Sequence, residues 1–315
     1  MQISNSPSEI IQEQGIIQDV STAQLWRQAI KLPLYSVVLI PVGVATATVY
    51  ADTGTVNWVN FFLFFLSILL IQIWINLSND VFDAETGVDV HKFHSIVKLT
   101  GQKNTIFWIA NAFLASGLLA LAYLAWQQQD ITLLVLMSLG CLLGYSYQGP
   151  PFRLSYQGIG EIICFIAYGP LLMGTAYYAQ TQDWSVTCLA VSTIIGLATS
   201  LILFCAHFHQ VEDDLAGGKL SPVVRLGTAR SAQLLPWWQA SIYGLVCLFV
   251  GLAVLSPLTL LSLLSLGYAV KLSLHVQRYH DQPERVRNCK FIAIALYCSL
   301  GLLLTLGLLL PQALL

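Results

Sequence analysis

Long runs without a charged residue are the feature that most constrains how this chain can fold. Stretches that lack Asp, Glu, Lys and Arg and are long enough to cross a membrane occupy residues 32–51, 53–79, 104–129, 131–152, 162–182, 184–211, 231–270 and 291–315. A membrane-spanning helix needs about 20 consecutive, predominantly apolar residues. The run 231–270 would be about 60 Å long as one helix, and Ser256-Pro257 offers a break near its middle. The sequence therefore predicts an all-α membrane protein with nine transmembrane helices.

The composition supports this fold class and excludes several others. Of the 315 residues, 56% are apolar and 10% are charged, whereas about a quarter of the residues of a soluble domain are charged. These values exclude a soluble enzyme and a disordered chain. A net charge of −2 without a basic tract excludes a nucleic-acid-binding protein. We expect a polar amino-terminal segment at residues 1–26 and one transmembrane domain at residues 27–315.

The basic residues indicate the orientation, because Lys and Arg gather in the cytoplasmic loops of membrane proteins. With nine spans, all 14 Lys and Arg residues fall on one side, whereas fusing 231–270 into one span would move five of them across. The amino terminus is therefore predicted to be cytoplasmic. The first 31 residues resemble neither a secretory signal nor an acidic-poor transit peptide, which favours a bacterial membrane.

An amide and two carboxylates mark the end of the second run. Asn76, Asp80 and Asp83 have the spacing i, i+4, i+7, which places them within about 40° of one another on a helix. Carboxylates crowded at a membrane boundary repel one another and resist desolvation, and a bound cation relieves both costs. The alternative is a solvated helix end carrying ordinary loop acids, but Asn76 still lies within the apolar run.

A second polar cluster follows the sixth run. His207, Gln210 and Asp214 have the spacing i, i+3, i+7, which predicts one polar helix face with Asp213 beside Gln210. Each cluster is followed by a similar tail, since Lys, Ser, Val, a basic residue, Leu and Gly recur in that order within 92–101 and 219–227. The clusters are four spans apart and so emerge on the same side. We predict a weak internal repeat that brings them face to face.

Facing oxygen ligands flanked by Lys and Arg predict a magnesium site. Proteins hold Mg²⁺ with a few carboxylates plus the phosphate oxygens of the substrate. Zinc is disfavoured, because the nearby histidines lack a thiolate partner or an HExxH pattern. Such a site at the mouth of an apolar bundle predicts a lipid diphosphate as substrate, with its chain among the helices. The metal and the basic residues would then stabilise the departing diphosphate.

The residues around these clusters resemble the UbiA-type intramembrane prenyltransferases. Asn76, Asp80 and Asp83 match the NxxxDxxD pattern of that family. The segments similar to its 1,4-dihydroxy-2-naphthoate prenyltransferases are NLSNDVFDAETGVD at 76–89, YQGPPFRLSY at 147–156 and GKLSPVVRLG at 218–227. The resemblance implies a UbiA-type bundle.

The second motif departs from the usual family pattern and resembles that of one branch of the family. The family usually carries DxxxD there, whereas this chain has Gln210 and Asp214. The sequence HFHQVEDD at 207–214 resembles the cyanobacterial and plant phylloquinone branch, which implies a phytyl donor. Whether Gln210 binds a metal directly, through water or not at all stays open.

The resemblance implies transfer of a phytyl or polyprenyl chain from its diphosphate to 1,4-dihydroxy-2-naphthoate, with loss of the ring carboxylate, in phylloquinone or menaquinone biosynthesis. It implies Mg²⁺ as cofactor and an active site on the cytoplasmic face of a cyanobacterial plasma or thylakoid membrane, surrounded by lipid. The implied metal ligands are Asn76, Asp80, Asp83, Gln210, Asp213 and Asp214, of which Asp80, Asp83 and Asp214 are the implied catalytic residues. The implied diphosphate-binding residues are Lys31, Lys92, Lys98, Arg153, Lys219 and Arg225, with Asp89 and His207 as further site candidates.

Two other interpretations remain at this stage. A related prenyltransferase could use another acceptor, such as homogentisate or a chlorophyllide. A transporter could also be a nine-span bundle, but it would be expected to carry ionisable residues near mid-span. The apolar runs contain none in their middle.

Overall fold

The computed structural model describes Trp26, Ala29 and residues 32–86 and 95–310. Within these residues the regular structure is helical throughout, and no strand occurs. Lys31, Asp89 and Lys92 lie outside the described residues, as does nearly all of the predicted amino-terminal segment.

Eight helices of the described residues are long and apolar enough to cross a membrane, and a further apolar helix is shorter. In chain order they are α1 Ser36–Thr53, α2 Trp58–Thr86, α3 Lys103–Gln128, the shorter α4 Thr132–Gln148, α5 Gly160–Thr181, α6 Val186–His207, α7 Thr228–Gly251, α8 Pro257–Tyr279 and α9 Pro283–Leu309. A short helix at Leu32–Tyr35 precedes α1, and further short helices lie between the long ones at Ile96–Thr100, Leu154–Gln157, Val211–Ala216 and Pro222–Leu226. The chain is therefore a multi-pass membrane protein.

The break predicted within the longest apolar run is present. Helix α7 ends at Gly251, and α8 begins at Pro257 as a 3₁₀ helix. The Ser256 hydroxyl accepts a hydrogen bond from the backbone N–H of Leu258 and so caps the new helix. Proline suits a first helical position, because it has no N–H to leave unsatisfied there.

Helix α5 bends where it crosses α6. The bend lies at Gly169 and Pro170, and Gly169 has a non-helical backbone. A Cβ atom at Gly169 would lie 2.6 Å from the carbonyl oxygen of Ser192 and 2.8 Å from Cα of Gly196. Only glycine fits this close approach. Helix α6, which α5 approaches here, is the most buried of the eight long apolar helices.

Two neighbouring tyrosines tie the end of α5 to other segments by hydrogen bonds at one end of the bundle, which we call the closed end. The Tyr177 hydroxyl donates to Oδ2 of Asp52 at 3.0 Å, and the Ser185 hydroxyl donates to the same oxygen at 2.6 Å. The Tyr178 hydroxyl donates to Asp130. The end of α5 is thereby tied to the last turn of α1, to the connection that follows α3 and to the connection that follows α5 itself. The acidic clusters lie at the opposite end, which we call the mouth.

Candidate active site

The first acidic cluster lies on one continuous helix, as predicted. Helix α2 runs without interruption to Thr86, so Asn76, Asp80 and Asp83 share a face of its last three turns. Asp80 is 1% exposed and Asp83 is 8% exposed. The backbone N–H of Ile96 donates to Oδ2 of Asp80 at 3.0 Å, which ties the following short helix to the cluster.

The second cluster is built differently from the prediction. Helix α6 ends at His207, and a separate short helix begins at Val211, so the prediction of one helix face over 207–214 is wrong. The acidic residues Glu212, Asp213 and Asp214 lie in the first turn of the new helix. Negative charges favour a helix N-terminus over a helix C-terminus, which explains why the acidic run begins a helix instead of extending α6.

The break still brings His207 and Asp214 together in a row of buried ionisable groups. Nδ1 of His207 lies 3.0 Å from Oδ2 of Asp214, and Nε2 of His207 lies 3.5 Å from Oε1 of Glu161. Nζ of Lys219 lies 3.3 Å from the other carboxylate oxygen of Asp214. Glu161, His207 and Asp214 are all buried. We call these four residues the ionisable row.

Two members of the ionisable row, His207 and Lys219, keep Asp214 ionised. Burial by itself would raise the pKa of Asp214, but the hydrogen bond from His207 and the charge of Lys219 outweigh it and hold that pKa below the ordinary value. Neighbouring His209 is not a member of this row. Burial, reinforced by the charges of Lys290 and Arg287, lowers the pKa of His209 to about 3.

Sequence reasoning did not identify Glu161 as a site residue. It is the second residue of α5 and follows a Gly-Ile-Gly segment, and neither carboxylate oxygen has a hydrogen-bond partner among the described residues. Its position at the boundary of an apolar run was the available signal. Its contact with His207 depends on the packing of α5 against α6, which the sequence does not reveal.

A cavity of about 260 Å³ opens between α2, α4, α5 and α6, next to the acidic clusters. Most of its wall is aliphatic. Its polar lining comes from Gln72, Asn76, Asn79, Tyr147, Tyr168 and Thr199. The cavity therefore offers an apolar chain a place inside the bundle and a polar head group a place at the mouth.

Both acidic clusters adjoin this cavity. Asn76 of the first cluster lines it, and so does Ala206, which directly precedes His207 of the second cluster. In the described part of the chain, however, no three His, Cys, Asp or Glu side chains are arranged to hold a metal ion by themselves. The donor set consists of carboxylate and amide oxygens, which suit Mg²⁺ when a ligand's phosphate oxygens supply the remaining positions.

The predicted diphosphate-binding residues occupy different environments. Lys219 faces the second cluster through Asp214. Arg153 lies 4.0 Å from Glu85, two residues beyond Asp83 of the first cluster, and Glu85 also pairs with Lys103 at 2.7 Å. Lys98 lies in the last turn of the short helix that follows the first cluster. Lys219, Arg153 and Lys98 each therefore lie on, or pair with, an element next to one of the acidic clusters.

Arg225 joins two connections. Its Nε donates to the carbonyl oxygen of Leu220 at 3.0 Å, and its Nη2 donates to that of Gln157 at 2.7 Å. The backbone N–H of Leu220 also donates to the carbonyl oxygen of Tyr156. The connection 149–159, which carries most of the motif at 147–156, is thereby held against the motif segment 218–227.

Comparison with known proteins identifies the family. The family model described as the UbiA prenyltransferase family matches residues 38–310. The chain belongs to the UbiA prenyltransferase family. It is therefore a prenyltransferase, and the transporter interpretation is set aside.

Two relatives cover almost the whole chain. The 2-carboxy-1,4-naphthoquinone phytyltransferase of Synechocystis is 50% identical over 287 residues, which are 91% of this chain and 94% of the relative. The chloroplastic enzyme of the same name from Arabidopsis thaliana is 39% identical over 94% of this chain and 79% of its own length. The resemblance to the phylloquinone branch is thereby confirmed.

Solved structures share the fold. A UbiA homologue from Archaeoglobus fulgidus has a TM-score of 0.61 at 14% identity, over 89% of this chain and 99% of its own. The same homologue bound to DMAPP and Mg²⁺ has a TM-score of 0.52 at 15% identity, over 86% and 98%. The prediction of a UbiA-type bundle is confirmed by this shared architecture.

Proposed function

We propose that this UbiA prenyltransferase transfers a phytyl chain, or a related polyprenyl chain, from its diphosphate to 1,4-dihydroxy-2-naphthoate, with loss of the ring carboxylate. The carrying observation is the apolar cavity beside the acidic clusters, which is lined by Asn76 of the first cluster and by Ala206 next to His207 of the second. The phytyltransferase names of the cyanobacterial and plant relatives support the choice of donor and acceptor.

The proposal includes nine spans, a cytoplasmic amino terminus and a cytoplasmic active site in a cyanobacterial plasma or thylakoid membrane. The eight long helices and the shorter α4 support the count. The basic residues on one side support the orientation. The transmembrane domain would extend over 27–315.

In this proposal Mg²⁺ is held by the two acidic clusters and the donor diphosphate together. Asp80 and Asp83 would contribute from α2 and Asp214 from the second cluster, with Asn76, Asp213 and Gln210 as the further candidates. When bound, the metal would neutralise the charge that the diphosphate develops as it departs. The archaeal homologue described with DMAPP and Mg²⁺ supports this assignment.

The chain's own residues would prepare the transfer in three ways. Lys219 and Arg153 would bind the diphosphate oxygens at the mouth, and Lys98, Arg225, Lys31 and Lys92 remain candidates for the same task. The aliphatic wall of the cavity would exclude water from the allylic cation. The faces of Tyr147 and Tyr168 would stabilise that cation.

The proposed transfer needs no reactant other than the prenyl diphosphate and the naphthoate. The C–O bond between the allylic carbon and the diphosphate breaks, and the ring supplies the electron pair for the new C–C bond. Overall, the ring loses CO₂ and gains the chain, so no net proton is released. An electron-rich ring is required, and we therefore expect the hydroquinone form of the acceptor to react faster than the quinone form.

The test is transfer by the purified protein in lipid vesicles. The protein would be given Mg²⁺, a panel of isoprenoid diphosphates, and the naphthoate in reduced or oxidised form, with mass spectrometry of the products. Homogentisate and a chlorophyllide serve as rival acceptors. Prenylated, decarboxylated naphthoquinol as the main product supports the proposal, and preference for either rival acceptor would refute the assigned acceptor.

A further inference from the structure

Three polar side chains form a hydrogen-bonded row along the cavity wall, leading towards the first acidic cluster. The Tyr168 hydroxyl donates to Oε1 of Gln72 at 2.9 Å, and Nε2 of Gln72 donates to Oδ1 of Asn76 at 3.2 Å. All three residues line the cavity. Gln72 is 3% exposed. Polar groups at this depth are costly unless they are hydrogen-bonded, so the amide row, as we call it, is a specific feature of the site.

The direction of the hydrogen bonds decides which group Asn76 presents to a ligand. Its Oδ1 accepts from Gln72, so its Nδ2 group is turned away from Gln72. That nitrogen is buried and has no acceptor among the described residues. A buried N–H without an acceptor is costly. An acceptor supplied by a bound ligand would remove that cost.

We propose that Gln72 and Tyr168 are positioning residues, which turn the Asn76 amide so that its N–H bonds bind a diphosphate oxygen of the prenyl donor. This inference rests on the proposed function, because it requires a diphosphate at the mouth. Asn76 then acts as a hydrogen-bond donor to the anion, and the metal is held by Asp80 and Asp83.

The chemistry of the two partners supports this assignment. A diphosphate offers only acceptor oxygens at neutral pH, and the Asn76 Nδ2 group offers only donors. A cation at Oδ1 of Asn76 would be repelled by the partial positive charge of the Gln72 N–H bond aimed at the same oxygen. The row thus separates the role of Asn76 from that of the carboxylates one turn further along α2.

The experiment compares Tyr168→Phe and Gln72→Met with a matched control, Tyr243→Phe. The Tyr243 hydroxyl also makes a buried hydrogen bond, at 2.7 Å to Ser265, but Tyr243 does not line the cavity. Each variant would be reconstituted in nanodiscs. Thermal-shift titration with inorganic diphosphate and Mg²⁺ measures anion binding without turnover, and steady-state rates give the KM for the prenyl donor and the Mg²⁺ concentration at half-maximal rate.

We expect both row variants to bind inorganic diphosphate about three- to tenfold more weakly, as expected for one hydrogen bond. The KM for the donor should rise by a similar factor, and the Mg²⁺ requirement should stay that of the wild type. Tyr243→Phe should change none of these. The two variants change different residues of the amide row, so either one tests the proposal if only one of them folds. A row variant with the same diphosphate binding and donor KM as Tyr243→Phe would overturn the proposal.

Asn76→Asp separates the two possible roles of this residue. An aspartate cannot donate to the anion, so we expect diphosphate binding at least tenfold weaker. Wild-type diphosphate binding combined with a lowered Mg²⁺ requirement would show that the residue is a metal ligand and would overturn the inference. Failure of the proposed function is distinct, because it would appear in the wild type as diphosphate binding without prenyl transfer to the naphthoate.

Discussion

Replacing Asp214 with asparagine tests the ionisable row and the metal assignment together. The substitution keeps the side chain's shape and an acceptor for His207, but it removes the charge that pairs with Lys219 at 3.3 Å. Removing one partner of a buried ion pair costs about 3–5 kcal/mol. Because the introduced amide would still accept from His207, we expect a loss of about 3 kcal/mol and a decrease of several degrees in the apparent Tm. Turnover should fall at least a hundredfold, as for the loss of one electrostatic stabiliser.

A matched control and a second-site change separate these effects. Glu212→Gln removes the same charge from the same helical turn, but Glu212 is exposed, so both its Tm and its rate should stay close to those of the wild type. Adding Lys219→Met to Asp214→Asn should restore much of the Tm, because it removes the unpaired cation, but it should not restore turnover. Thermal unfolding in detergent and prenyl transfer in vesicles measure the two properties. Equal rates for Asp214→Asn and Glu212→Gln would refute the role of Asp214 at the metal.

Three further expectations follow from other parts of the molecule. If Gln210 supports the second metal, Gln210→Ala should raise the Mg²⁺ concentration at half-maximal rate, and an unchanged titration would place it outside the site. Gly169→Ala should lower the Tm more than Gly174→Ala, because a Cβ at Gly169 meets backbone at 2.6 Å whereas one at Gly174 meets the Trp184 ring at 3.6 Å. Overpacking of this kind costs about 1–3 kcal/mol. Equal Tm values for the two variants would contradict the close approach. Cysteines placed at exposed positions 55 and 220 should react with an impermeant thiol reagent from opposite sides of the membrane, and labelling from one side would refute the nine-span topology.

The elements that the sequence predicted correctly are those with a local cause. The charge-free runs and the proline at 257 located the helices and the break in the longest run, because helix length and proline geometry need no partner. The face shared by Asn76, Asp80 and Asp83 depended only on helical periodicity within α2.

The features that escaped prediction depend on contacts between distant segments. The break after His207 was missed, because the spacing of polar residues does not show where one helix stops and another begins. Glu161 reaches His207 only because α5 packs closely on α6. Arg225 was predicted to bind diphosphate, and its hydrogen bonds to two backbone carbonyls arise from the meeting of two connections far apart in sequence.

The hydrogen bonds at the closed end bear on where this bundle can change shape. Tyr177 and Tyr178 are consecutive residues, yet they bind Asp52 in the last turn of α1 and Asp130 in the connection that follows α3. These hydrogen bonds oppose the separation of α1, α3 and α5 at the closed end. We therefore expect any widening of the bundle that admits a bulky substrate to occur at the mouth.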